Sequence, residues 1–332
     1  DHMATLDDIA QALGVSKSTV SKALSGAKDV SKAMRQSVLE KAVEMGYTRL
    51  PRNAAAPKMA VFITNMEYRQ PEDFGYDIIV GFRKGAEPAG FQVQVIPLTA
   101  ELQQEHNYDE YMILHGFCGG LFLGLSMADP WIAQFSVCKT PTVLYDNYIS
   151  GNPNVTHVGI DNAEGMDLAV QYLKNLGHKK IGYLSIALQA YIYRTRYHAF
   201  FEALRKNGLP ADEALSGSAD LFPVCLQEHL PRLLKEGCTA IVCSHDLLAH
   251  SVMVHCAELG LRVPQDISIL GFDDIPLCRY TTPPLSTVRQ NRTGLGKSAF
   301  YSLSSQLNGV HLSSYQLHAE LICRASCAKA KE

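Results

Sequence analysis

TLDDIAQALGVSKSTVSKALSG, Thr5 to Gly26, decides how the chain is read. Thr5 and Asp8 stand three residues apart, a hydroxyl and a carboxylate spaced to cap a helix start reciprocally. Ile9, Ala10 and Leu13 then fall on one helical face, and Gly14 supplies the left-handed residue that ends the helix. Val15 turns inward as the chain reverses. Ser16 caps a second helix with Val20, Ala23 and Leu24 on its inner side, and Gly26 stops it. Val30-Ser31 starts a third, whose Met34, Val38, Ala42 and Met45 form an apolar stripe ending at Gly46. Two short helices joined by a glycine-containing turn make the helix-turn-helix pattern, whose second helix enters the major groove of DNA. On this reading Lys17, Ser18, Ser21 and Lys22 point away from the small core, where hydroxyls bond phosphates or base edges and lysines reach guanine acceptors or phosphates. Thr5, Ser16 and Ser31, at the three helix starts, join that DNA-facing set. The competing reading is a bundle with a solvated Ser/Lys face; turn glycine, cap residues and spacing together favour the DNA surface.

Bulk composition agrees with a basic head on an acidic body. Residues 1–58 hold nine Lys/Arg against six Asp/Glu, and the remainder 21 against 27. An uneven spread of this kind points to a polyanion at one end. The 332 residues, 47% hydrophobic and 19% charged, suit a globular protein of two or three domains. No run of eighteen apolar residues offers a membrane span, and no signal peptide opens the chain. Asp1-His2 ahead of Met3 reads as a cloning remnant. The nine cysteines form no CxxC pair, which fits reduced thiols in a cytoplasmic protein. His245, His250 and His255 are spaced by five, which turns successive rings to different helix faces; no metal and no cofactor is expected.

Beyond Met59 the periodicity changes. Strands are expected at 59–63, 91–98, 119–125, 142–146, 157–161, 180–185, 240–244 and 266–274. Helices are expected at 77–90, 101–115, 129–136, 163–176, 195–207, 223–236 and 246–259. Alternation of this kind makes parallel sheets with helices on both faces, and the length suits two similar lobes in tandem. The fold class is α/β: a three-helix helix-turn-helix head, then a two-lobed body of doubly wound parallel sheets.

The Thr5–Gly26 stretch resembles the N-terminal signature of the LacI/GalR family of bacterial repressors. VGIDNAEGMDLAVQYLKNLGHKKIGYLS (158–185), ISILGFDDIPL (267–277) and TTPPLSTVRQ (281–290) are similar to motifs of that family's body, itself like periplasmic sugar-binding proteins. The resemblance covers about residues 3–325. It implies a head at 3–46, a hinge linker at 47–58, one effector-binding lobe at 59–160 plus about 289–316, and another at 161–288 plus about 317–328. It implies that Lys17, Ser18 and Lys22 read bases, and that a homodimer binds near-palindromic double-stranded operator DNA. The family's hinge helix carries a leucine that wedges the minor groove. Here Arg52-Asn53-Ala54-Ala55-Ala56 offers one helical turn after Pro51, but YTRLPRNAAAPK (47–58) is short, Ala56-Pro57 stands where that leucine belongs, and Leu50 precedes the turn. Arg49, Arg52 and Lys58 are assigned to phosphates instead, and Asn53 joins the DNA-facing set.

Open parallel sheets bind ligands at the carboxyl ends of their strands. The candidates there are Asn65, Phe74, Tyr76 and Asp146 in the first lobe, and Arg196, Phe222, His245 and Asp273 in the second. Carboxylates and arginine pair with vicinal hydroxyls, and aromatic rings stack on a sugar's apolar face. The resemblance implies effector roles for Arg196, before Ala199-Phe200, and for Asp273, the first acid of GlyPheAspAsp. His245 stands where the family has Asn, so the effector class is open. Asp246 reads equally well as the cap of the following helix, and Asp274 as a turn or cap residue. The expected function is a ligand-responsive repressor of carbohydrate-utilisation genes. The alternatives are a corepressor-dependent regulator sensing a purine, or a sugar-binding protein or enzyme without a DNA role. Against an enzyme stand the lack of GxSxG, of GxGxxG after a strand and of a P-loop. The tail after Glu320 has no leucine heptads, so a dimer rather than a tail-made tetramer is expected.

Overall fold

The protein is described here by a computed structural model covering residues 4–47 and 56–331. The elements run α1 (Leu6–Leu13), α2 (Lys17–Leu24), α3 (Lys32–Glu44), β1 (Lys58–Ile63), α4 (Phe74–Ala86), β2 (Gln92–Pro97), α5 (Ala100–Glu105), α6 (Tyr108–His115), β3 (Phe117–Leu123), β4 (Thr142–Tyr145) and β5 (Val155–Ile160). They continue α7 (Asn162–Asn175), β6 (Ile181–Ser185), α8 (Tyr191–Lys206), β7 (Ser216–Ser218), α9 (Phe222–Val224), α10 (Leu230–Lys235), β8 (Ala240–Cys243) and α11 (Asp246–Glu258). β9 (Ser268–Asp273), β10 (Ser286–Arg289), α12 (Arg292–Leu307), β11 (Ser314–Leu317) and β12 (Glu320–Ile322) complete the chain.

The head forms by local chemistry. Thr5 Oγ1 accepts from the Asp8 amide at 3.3 Å while the Thr5 amide donates to Asp8 Oδ2 at 2.7 Å, the reciprocal cap. Ser16 and Ser31 accept from the Thr19 and Met34 amides at 3.1 and 3.2 Å. Gly14, at φ +65°, makes the left-handed turn between α1 and α2. Ile9, Val20, Leu24, Val38 and Leu39 close the core, which continues onto Ile113 and Leu114 of α6. Gln36 of α3 donates to Glu110 of α6 at 3.1 Å.

Two compact units follow from the chain's contacts: Asp1–Val158 with Arg292–Tyr315, and Gly159–Asn291 with Gln316–Glu332. Each holds a six-stranded sheet. The first has order β11-β5-β4-β3-β1-β2 and the second β12-β10-β9-β8-β6-β7. Five strands of each sheet therefore repeat one doubly wound order, and the order reverses between β1 and β3 and between β6 and β8. Those reversals are where such sheets bind ligands. β1 pairs in parallel with both β2 and β3, β6 with both β7 and β8, and β12 closes its sheet antiparallel to β10. β3 is buried along its whole length, as a strand covered on both faces must be.

Several elements depart from expectation. The helix expected at 101–115 is two helices, because Asn107 restarts the chain by accepting from the Glu110 amide at 3.3 Å. α4 begins at Phe74 and stops at Ala86, ahead of Pro88. α8 begins at Tyr191, one turn earlier than expected. The helix expected at 223–236 is interrupted by a π-type turn over Cys225–His229, just ahead of Pro231, which has no N–H to donate.

α4 and α12 touch backbone to backbone on the first sheet. A Cβ on Gly81 would lie 2.0 Å from the Thr293 carbonyl oxygen, and one on Gly296 would lie 1.9 Å from that of Ile78. Since both obstructions are main chain, neither can rotate away. Gly296→Ala should therefore force the helices apart and cost about 1–3 kcal/mol or more. Urea unfolding of the full chain measures it; an unchanged midpoint would contradict the close approach.

Candidate functional site

The outward face of α2 carries the exposed side chains of Lys17, Ser18, Ser21 and Lys22. Both lysines are already engaged within the head. Lys17 Nζ lies 2.6 Å from Asp7 Oδ2, and Lys22 Nζ lies 2.5 Å from Asp29 Oδ2. The Lys22 bond holds the Asp29 carboxyl below its ordinary range. All four groups are exposed, and exposed ion pairs contribute little, so phosphates or guanine acceptors can replace these carboxylates at small cost. The hydroxyls of Thr5, Ser16 and Ser31 serve as helix caps. Arg49, Arg52 and Asn53, with Leu50, lie outside the described residues.

In the second unit, four of the sequence candidates converge at the carboxyl ends of β8 and β9. Arg196, on the first turns of α8, is 2% exposed. Its Nη2 lies 3.3 Å from Asp273 Oδ1, Nη1 donates to the Ser244 carbonyl at 2.7 Å, and Nε donates to Asn162 Oδ1 at 3.1 Å. The guanidinium also sits 3.9 Å from the centre of the Phe272 ring. Asp273 Oδ1 accepts in addition from Gln290 Nε2 at 2.7 Å. His245 follows β8 and contacts two rings, with centroids 5.5 Å from Phe222 and 5.8 Å from Tyr193. Burial, and then the charge of Arg196, push its imidazole down to about 3, so it is neutral at any physiological pH. This cluster combines a charged pair with a neutral imidazole that meets Phe222 edge-on and Tyr193 at a tilt.

Asp246 does not cap α11, contrary to one sequence expectation. It is the first residue of the helix, 1% exposed, and its carboxylate accepts from the Ile275 amide at 2.9 Å and from Thr287 Oγ1 at 2.6 Å. It ties the end of β9 to β10. Asp274 is likewise no simple turn residue: it pairs with Arg289 at 2.7 Å and Arg324 at 2.6 Å. Burial alone would raise its carboxyl; the two arginines hold it below the ordinary value.

In the first unit, Asn65 follows β1 and Asp146 follows β4. Asn65 Nδ2 donates to the Gly124 carbonyl at 3.1 Å, bridging the ends of β1 and β3 at the reversal of strand order. Phe74 lies 6.4 Å from the ring of Tyr145 and 5.2 Å from the guanidinium of Arg292, which is 3.5 Å from Asp77. Tyr76 is half-buried on the first turn of α4. Asn65 (φ 51°), Asp146 (φ 53°) and Asp273 (φ 117°) all hold left-handed backbone conformations, which a side chain makes costly.

Sequence reading missed Asn162, Tyr193, Gln290, Tyr145 and Arg292. Tyr193 lies three residues before Arg196, a spacing that puts both on one helix face, and Gln290 ends the TTPPLSTVRQ stretch; those were usable signals. The Ser244 carbonyl left none.

Residues 5–49 match the family model of bacterial regulatory proteins of the lacI family, and residues 170–327 match that of periplasmic binding protein-like domains. The HTH-type transcriptional repressor CytR of Escherichia coli (strain K12) is 30% identical over 331 residues, 97% of this chain and 96% of that protein. Among solved structures, the transcriptional regulator CelR–cellobiose complex aligns with TM-score 0.68 at 24% identity, over 97% of this chain and 99% of that one. The lac repressor dimer bound to operator aligns with TM-score 0.65 at 22% identity, over 98% and 100%. The chain belongs to the lacI family of bacterial regulatory proteins. It is a ligand-responsive, DNA-binding transcriptional regulator, with its effector bound by the body that follows the head.

Burial, then the charge of Asp273, raise Asp246 to about 7 from an ordinary value of 3.8, although the Thr287 hydroxyl, the Ile275 amide and the Cys278 thiol oppose the rise. A native acid near 7 binds more protons than its unfolded form across that window, so its contribution to stability falls as pH rises from about 4 to about 7. Asp246→Asn removes this titration. Stability should then fall less, or rise more, between pH 5 and pH 7 than in the parent chain, as read by urea unfolding. Identical pH slopes would contradict the buried acid.

Proposed function

We propose that this regulator represses carbohydrate-utilisation genes and that a sugar or sugar derivative, held at the Arg196–Asp273 cluster, changes its affinity for operator DNA. The observation that carries the reading is the buried Arg196 ion pair with an aromatic-flanked, neutral His245 beside it, at the carboxyl ends of β8 and β9. Asp273 and Arg196 form paired bonds to vicinal hydroxyls, and Phe222 lies against the apolar face of the ring. Asn65, Phe74, Tyr76 and Asp146, at the strand ends of the first unit, are proposed as further effector contacts. The cellobiose bound by CelR supports a carbohydrate as the ligand class. One observation favours a second reading: Phe222 and Tyr193 flank a neutral imidazole, an arrangement that equally suits the flat ring of a nucleobase.

The DNA-reading elements are Lys17, Ser18, Ser21 and Lys22 of α2, with Thr5, Ser16, Ser31, Arg49, Arg52 and Asn53 on phosphates. The acting species is a homodimer, each head on one half-site of double-stranded DNA, as the dimer of the lac repressor on its operator suggests. No helix of the described residues is long and apolar enough to cross a membrane, and the cytoplasm is the proposed compartment.

A duplex selected from a randomised library by the full chain provides the test, with binding followed by fluorescence anisotropy with and without sugars. Lys17→Ala or Lys22→Ala should weaken the selected duplex by about 1–3 kcal/mol while barely changing binding to unselected DNA. Equal weakening on both would make these lysines phosphate contacts only. If no duplex is enriched, the reading of the head fails.

A further inference from the structure

α6 is a short helix with two covered faces. Tyr108, Tyr111 and Met112 pack into the core against the first sheet, and the Tyr108 hydroxyl lies 2.8 Å from Thr142 Oγ1. Glu110, Ile113 and Leu114, spaced i, i+3 and i+4, make a second stripe along the same helix. That stripe meets the head. Ile113 is 4% exposed and belongs to the same apolar cluster as Ile9, Leu24, Val38 and Leu39, with Leu114 packed beside it. At the rim, Gln36 Nε2 donates to Glu110 Oε1 at 3.1 Å and to Glu40 Oε1 at 3.0 Å. The head therefore closes its own core over a side chain of the body, and separating the two would return Ile113 to water.

The contact runs through α3, the head helix that packs on α6. α2 is left clear: Lys17, Ser18, Ser21 and Lys22 are all exposed in the docked head. Docking thus covers a face that DNA does not need and leaves open the face that DNA does. The contact is also small, one buried isoleucine, one half-buried leucine and a rim hydrogen bond. It would not join two separate molecules. Residues 47–58 tether the head, however, and a tether this short makes docking an intramolecular event at an effective concentration on the order of millimolar. A tethered head that wanders must lose its rotational freedom on each half-site as DNA binds; a docked head has lost that freedom beforehand.

We infer that the Glu110–Ile113–Leu114 stripe of α6 is a docking platform that holds the head, before DNA arrives, in the orientation from which α2 reads it. This rests on the reading of α2 as the DNA-facing helix. It adds that the body orients the head by direct contact, in addition to the linker.

Two readouts on the full chain test it: the rate at which trypsin cleaves the DNA-free protein after Arg49 and Arg52, and anisotropy on the selected duplex. Circular dichroism is the control for folding. Ile113→Asp sets an unmatched carboxylate against the head core and should speed linker cleavage by about tenfold or more and weaken the duplex by about tenfold. Gln36→Glu leaves both cores intact, opposes two carboxylates at the rim, and should shift both readouts the same way by about two- to fivefold. Adding Glu110→Lys to Gln36→Glu should restore the parent values. Unchanged cleavage in both Ile113→Asp and Gln36→Glu overturns the docking. Faster cleavage with unchanged or tighter duplex binding overturns the orienting role. If Ile113→Asp does not fold, Gln36→Glu and its Glu110→Lys rescue decide the matter. A parent chain that enriches no duplex overturns the reading of α2, and with it the orienting role; the cleavage rates then still judge the docking.

Discussion

The buried guanidinium of Arg196 is the constraint on which the second unit depends. An arginine removed from water costs several kcal/mol unless its charge is matched and its N–H groups are satisfied. Asp273, Asn162 and the Ser244 carbonyl supply those partners from the end of β9, the start of α7 and the end of β8, and the Phe272 ring covers one face. Three separate strand and helix termini must therefore be in register for Arg196 to be tolerated. The same charge suppresses protonation of His245, and the Asp273 that balances it raises Asp246. Burial is the larger cause of both shifts, and the ion pair adds to each.

The two sheets reach comparable arrangements by repeating one strand order. Each reversal leaves strand ends that the flanking helices do not cover; Asn65 holds a positive φ at the first of them, and Asp146 and Asp273 do so at the ends of β4 and β9, one strand further along each sheet. The head works on another principle. Its helices are fixed by caps only a few residues away, and its lysines are held by surface carboxylates that a polyanion readily displaces. A rigid, expensive site in the body and a cheaply exchanged set of ion pairs in the head suit a ligand sensor joined to a DNA reader.

How much was legible follows from range. α1, α2 and α3 were readable because Thr5, Gly14, Ser16 and Ser31 act on neighbours within a turn. β1, β3, β4, β6, β8 and β9 were readable because parallel strands covered on both faces are continuous apolar runs. β7, with Ser-Gly-Ser, and β11, largely exposed, carry no such pattern; their pairing comes from the sheet edge they meet. At the site, strand ends could be counted from sequence, so Arg196, His245 and Asp273 could be picked out as candidates. The role of Asp246 could not: its partners lie 29 and 41 residues away, and a local cap was the natural expectation.

The most direct measurement is ligand-induced thermal stabilisation of the full chain and of Asp273→Asn, each screened against mono- and disaccharides and nucleosides. A ligand at about 100 times its dissociation constant adds roughly 2.7 kcal/mol to a chain that binds it only when folded. The account predicts that a sugar raises the melting temperature of the parent chain and that Asp273→Asn loses most of that shift. Equal stabilisation of both proteins by the same ligand would contradict it and place the effector away from the Arg196–Asp273 pair.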